Sequence, residues 1–204
     1  MSNYETFIGK NNVQLYGDIV SPFKFSHVDG GNDIYTFYVR VDRPRKGSDK
    51  IKCKISDELI NPNIDMTGQK VHVTGKFQSF NKNNGNGQKS NVILSVGVDG
   101  IRFISQSSYP EKCNVVEIEG TLCKKPNYRK TPKGKRICDL LIAHNEDTNK
   151  SNYLNAICWE EDAIKMQHKK PGTRIRVTGC INVRPYGEGR YATELNCSEV
   201  EVIK

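Results

Sequence analysis

The octapeptide Gly68-Gln-Lys-Val-His-Val-Thr-Gly75 returns 104 residues later as Gly172-Thr-Arg-Ile-Arg-Val-Thr-Gly179. Both copies open on Gly, carry a β-branched residue fourth and close on Val-Thr-Gly. A second anchor agrees: Val13 to Gly17 is answered by Val116 to Gly120, 103 residues on. A period near 100 residues is a tandem domain, too long for a solenoid unit. The 204-residue chain therefore reads as residues 1–105 and 113–204, joined by a linker at 106–112 that holds Ser107, Ser108 and Pro110.

Each copy is written in strands. Met1 to Asn12 is polar and reads as an arm, followed by a short alternating strand, Val13 to Gly17. Ile34 to Val41 is rich in β-branched and aromatic residues, which favour a pleated surface. Lys50 to Ile55 alternates charged and apolar residues, the pattern of a half-buried strand. Ser56 to Ile60 suggests one helical turn, and Glu160 to His168 is its counterpart in the second copy. Asn81 to Gly87 reads as a flexible hairpin tip before the return strand Asn91 to Val98. In the second copy Thr131-Pro132-Lys133-Gly134 is a tight turn, where Pro presets φ and Gly permits a positive one. Five strands with a short helix between the third and fourth describe an all-β chain of two tandem OB-folds, five-stranded Greek-key barrels. The strand count alone also fits SH3-like barrels; the position of the helix favours the OB-fold.

The formal net charge is +8 and the pI about 9.1, and the two halves carry +4 each. A basic chain favours a polyanionic partner, nucleic acid before membrane, with generic surface charge as the plain alternative. The seven cysteines are odd in number and none shows C-x-x-C spacing, so free buried thiols are expected rather than zinc or disulfides. No apolar leader and no membrane-length run occurs, which reads as cytoplasmic. The four histidines lack partners at motif spacing, and no phosphate-binding or nucleophile motif is present. The expectation is a binding protein: no catalytic residue, metal, cofactor, membrane or small-molecule substrate.

Stacking on bases needs aromatic side chains on one exposed strand face, with cations nearby for phosphates. In Ser151 to Trp159, alternation puts Tyr153, Asn155, Ile157 and Trp159 on one face and Leu154, Ala156 and Cys158 on the other. Trp159, the only Trp, could instead plug the barrel end. Arg184, Tyr186 and Arg190 flank a hairpin that could close over a strand of nucleic acid. Arg174 and Arg176 lie on the repeated strand, and Arg129, Lys130 and Lys133 surround the Thr-Pro turn. In the first copy Lys50, Lys52 and Lys54 share a face beside Tyr38 and Arg40, with Phe80 answering Arg184. That copy has no Trp and fewer stackers, so weaker binding is expected of it.

Several stretches of the second copy resemble bacterial single-stranded-DNA-binding proteins of the SSB family. They are Asn114 to Val116, Gly120-Thr-Leu with Pro126, Arg129 to Gly134, Tyr153 to Trp159, Gly172 to Gly179, and Arg190 to Leu195. The resemblance implies an OB-fold that binds single-stranded DNA without sequence preference. It implies stacking roles at Tyr153, Trp159 and Tyr186, while a further family aromatic meets His144-Asn145-Glu146 here. It also implies a homo-oligomer, for two folds per chain a dimer presenting four. The family's acidic tail does not follow Val200 to Lys204, which suggests an accessory binder or a relative of the primosomal protein PriB. The alternatives are a replication-restart or protein-interaction module with one DNA-binding fold, and an RNA-binding OB protein.

Overall fold

The structure is a computed structural model that describes residues 8–82, 91–146, 150–185, 187 and 189–204. Residues 83–87 of the Asn/Gly-rich tip expected at Asn81 to Gly87, and Tyr186, lie outside the described residues. Packing divides the chain into two compact units. The first unit comprises Asn12–Val115 with Ile181–Thr193. The second comprises residues 8–11, Val116–Cys180 and Glu194–Lys204.

The first unit is built on β1 (Asn11–Ile19), β2 (Lys24–Asp29), β3 (Asn32–Asp42), β4 (Ser48–Ser56), β5 (Lys70–Lys82) and β6 (Asn91–Phe103). Their order is β2-β3-β4-β6-β5-β1, and β1 returns to pair with β3, which closes the barrel. All pairings are antiparallel except β4 with β6, where Cys53 faces Val96. One parallel pair between the third and fifth barrel strands is the Greek-key arrangement of an OB-fold. Alternation fills the interior: Phe37, Val39, Ile51, Cys53, Ile55, Val73 and Phe77 are buried. β2, wholly exposed, is an added arm. Gly30 and Gly31 both have positive φ, 59° and 91°, as a two-residue hairpin turn between β2 and β3 requires.

The second unit repeats the plan with β7 (Asn114–Leu122), β8 (Asn127–Lys130), β9 (Arg136–Asn145), β10 (Ser151–Trp159), β11 (Arg174–Pro185) and β12 (Tyr191–Val202). Its order is β7-β11-β12-β10-β9-β8 with β7 closing on β9, and β10 runs parallel to β12. The Thr131 turn caps the β8–β9 hairpin, with a Gly134 to Thr131 backbone bond of 2.8 Å and Gly134 at φ 81°.

α1 (Glu160–Met166) bridges β10 and β11 and is the one α-helix among the described residues. Glu160, Glu161 and Asp162 in its first turn suit the positive end of the helix dipole, and Ala163 and Met166 bury one side. The helical turn expected at Ser56 to Ile60 goes no further than a single turn. The Glu58 N–H bonds the Ser56 hydroxyl at 3.2 Å and the Asn63 N–H bonds the Asn61 side chain at 3.1 Å. The Leu59 N–H also reaches the Ser56 carbonyl at 3.1 Å, which closes one turn, and Pro62 prevents a longer helix. All seven cysteines are free, with Cys53, Cys138, Cys158 and Cys197 buried.

The repeated Val-Thr-Gly has a packing cause. A Cβ on Gly75 would strike the carbonyl of Gly97 on β6, and one on Gly179 would strike that of Asn196 on β12. Gly17 and Gly120 meet the carbonyls of Arg40 and Ala143 in the same way. The signature therefore marks where barrel strands cross too closely for any side chain. Gly179→Ala should destabilise the protein by about 1–3 kcal/mol, the usual cost of overpacking, in a urea unfolding titration. Unchanged stability would contradict the crossing geometry.

Candidate nucleic-acid interface

β10 presents its two aromatic rings outward. Asn152, Leu154, Ala156 and Cys158 are buried, while Tyr153 is 50% and Trp159 38% exposed. Tyr153 sits opposite Ala143 on β9 and Asn155 opposite Leu141, so small and apolar neighbours flank the rings. Trp159 is therefore not a buried plug. Its indole N–H donates to the Asn196 side-chain oxygen at 2.6 Å. Asn196 lies on the parallel partner strand opposite Ile157. The bond fixes the edge of the indole and leaves ring surface accessible. The next residue, Glu160, has φ 47°, a conformation that L-residues rarely hold. Arg136 bonds its carboxylate at 3.1 Å at the point where the chain turns from strand to helix.

The β3–β4 face of the first unit is cationic. Thr36, Tyr38 and Arg40 lie directly opposite Lys54, Lys52 and Lys50. The Lys50 ammonium stands 4.8 Å from the Tyr38 ring centroid, and that of Lys54 stands 3.1 Å from the Phe80 centroid. Phe80 thereby joins the lysine row from β5. Arg40 donates to Asp18 at 2.5 Å. Burial by itself raises the Asp18 carboxyl, but hydrogen bonds from Lys70 and Arg40 outweigh it and hold the pKa below the ordinary value. The charge of Arg40 is thus matched within the fold.

Two further arginines are matched as well. Arg129 grips Asp139 with two bonds of 3.0 and 3.1 Å. Arg176 bonds Glu119 at 2.8 Å and Glu201 at 3.3 Å, with Glu117 at 3.8 Å. All three are candidate DNA-binding residues by sequence. Their carboxylate partners come from other strands, so period-2 patterning does not reveal them. Lys130 and Lys133 lie exposed at the β8 end and turn, and Arg174 is exposed at the start of β11. Arg184 and Arg190 are exposed and belong to the first unit.

Sequence reasoning missed Asn196, Tyr191 and Phe25. Tyr191 is 70% exposed where β12 begins, and Phe25 is 54% exposed on the β2 arm, edge-on to Tyr35 at 5.9 Å. Asn196 was findable, because Leu195 and Cys197 read as inward and the OB topology places the fifth strand beside the third. The Gly30-Gly31 turn likewise signals the hairpin that carries Phe25. Among the described residues no group of three His, Cys, Asp or Glu side chains is placed to hold a metal ion, and no helix is long and apolar enough to cross a membrane.

Residues 113–203 match the family described as the single-strand binding protein family. This stretch, a little under half of the chain, is similar to that family. A curated relative, the single-stranded DNA-binding protein of Enterococcus faecalis (strain ATCC 700802 / V583), is 28% identical over 102 residues. The match takes in 45% of this chain and 54% of that protein, so the chain spans about half the length of its relative. The wild-type single-stranded DNA binding protein from Thermus aquaticus superposes with a TM-score of 0.78 at 20% identity, covering 97% of this chain and 95% of that one. This likeness establishes two tandem OB-folds across the whole chain, the first copy included. The N-terminal domain of PriB from Thermoanaerobacter tencongensis reaches a TM-score of only 0.40, over 47% of the chain, at 26% identity, and bears no weight in the fold assignment.

Asn196→Ala should release the indole and shift the emission maximum of Trp159 while the melting temperature stays near wild type. An unchanged emission spectrum would show that the bond does not hold the ring.

Proposed function

We propose that the protein binds single-stranded DNA without sequence preference, coating it in replication, recombination or repair. The observation that carries this reading is the outward pair Tyr153 and Trp159 on β10, with the indole edge tied to Asn196. Every base has a π-face, so exposed rings on one strand bind any sequence. The lysine row of β4, on the other unit, is a separate cationic face, and phosphate contacts of this kind make affinity fall steeply with salt. The match of residues 113–203 to the single-strand binding protein family supports the same reading. Duplex DNA keeps its bases stacked inside and offers nothing to the rings. Asn155, Lys52 and Lys54 complete the two faces as proposed contacts, while the ion pairs of Arg40, Arg129 and Arg176 reduce what those residues offer to phosphate. The first barrel, with one aromatic on its lysine face and Phe80 under Lys54, binds more weakly in this reading.

Fluorescence anisotropy with a labelled oligo-dT, against duplex of equal length, tests it. Tyr153→Ala and Trp159→Ala should each weaken single-strand binding by about 1–3 kcal/mol, the usual worth of a stacked base. Equal affinity for duplex, or variants that bind like wild type, would contradict the proposal. The reading includes a homo-oligomer, a dimer presenting four barrels. Analytical ultracentrifugation that finds a monomer would remove that part.

A further inference from the structure

Asp49 breaks the pattern of its own strand. It is a carboxylate on the inward side of β4, 2% exposed, where its neighbours Ile51, Cys53 and Ile55 are apolar. A buried carboxylate is costly unless it is paired and hydrogen-bonded. Here Arg43 meets it as a two-pronged fork, with bonds of 2.7 and 2.6 Å. The third partner is more informative. The backbone N–H of Val183, far along the chain, donates to Asp49 at 2.7 Å. Arg43 in turn donates to the carbonyl of the same Val183 at 3.2 Å. One charged pair therefore holds both polar groups of one peptide residue.

Two residues earlier the pattern recurs. The Asn114 side chain accepts the Ile181 N–H at 2.9 Å and donates to the Ile181 carbonyl at 2.9 Å. Residues 181 and 183 turn the same strand edge outward. Along that edge side chains take the bonds that a neighbouring strand would otherwise make. This explains why Ile181–Thr193 packs as part of the first unit, although sequence order and the repeat place it in the second copy. Arg184 follows Val183 directly, Lys50 follows Asp49 directly, and Arg190 lies on the return of the same hairpin.

We propose that Arg43 and Asp49 are positioning residues that fasten the stem of this basic hairpin, so that Arg184 and Arg190 act with the β4 lysines as one phosphate-binding set. The proposal rests on the single-stranded-DNA reading above. The phosphate backbone is its ligand, and Asp49, itself negative and buried, acts on that ligand only through the hairpin.

The test is the salt dependence of oligo-dT binding by the full chain, measured for wild type, Asp49→Ala, the Arg184→Ala/Arg190→Ala pair, and the three changes combined. Each phosphate contact to a single strand contributes about 0.7 to the slope of log K against log salt, so losing two should make it shallower by about 1.4. Asp49→Ala and the arginine pair should each give that change, and the combined variant should be no shallower than either. An Asp49→Ala slope equal to wild type, or additive changes in the combined variant, would overturn the proposal. Removing Asp49 alone takes the carboxylate from the Arg43 guanidinium and can destabilise the barrel. Arg43→Met with Asp49→Leu removes both charges while keeping bulk, and should give the same shallow, non-additive slope. A wild-type protein that does not bind oligo-dT at all would instead refute the functional reading, and that result is separate from the variant comparison.

Discussion

Closing a five-stranded sheet into a small barrel forces neighbouring strands to cross at backbone contact, and glycine alone has room there. Gly17 and Gly75 in the first barrel, and Gly120 and Gly179 in the second, stand against carbonyls of the paired strand. These crossings set the register. Register in turn decides which residues of β4 and β10 face out, because a slip of one position would exchange core and surface along the strand. The outward rings of Tyr153 and Trp159 and the outward row Lys50, Lys52 and Lys54 therefore depend on four positions that touch neither. The repeat persists in the sequence at those places because steric demand leaves no substitute, whereas the faces are free to differ.

They have differed. Corresponding positions on the third barrel strand hold lysines in the first copy and Tyr153, Asn155 and Ile157 in the second. One face is cationic and the other carries outward rings. Single-strand binding in general draws on both, and here the two contributions stand on different copies of one scaffold. The carboxylates sharpen this division. Asp18, Asp139 and the glutamates around Arg176 match arginines locally, so the uneven distribution of positive charge exceeds what a residue count shows. Both halves carry +4, yet the lysine row stands on the first copy alone.

What could be read in advance follows from the range of each interaction. Alternation along β4 and β10 is a property of consecutive residues, and the inward and outward sets expected from it match the structure residue by residue. The Thr131 turn and the repeated glycines are equally local. The partners of Arg40, Arg129 and Arg176 lie 22, 10 and up to 59 positions away, and only strand pairing brings them together. Asp49 stands just before the alternating run Lys50 to Ile55, and its purpose shows only with Val183 in place. The helix expected after β4 goes no further than a single turn for a local reason, since Pro62 follows at once.

The central claim is that Trp159 presents its ring to bases. It is the only Trp in the chain, so its fluorescence reports one site. The direct measurement is a titration of that emission with poly-dT at low and high salt, with duplex DNA as the control. Strong quenching by the single strand, weakened by salt and absent with duplex, is the result this account predicts. Unchanged emission from the folded protein at saturating single strand would contradict it and leave the outward ring of Trp159 as a surface for some other partner.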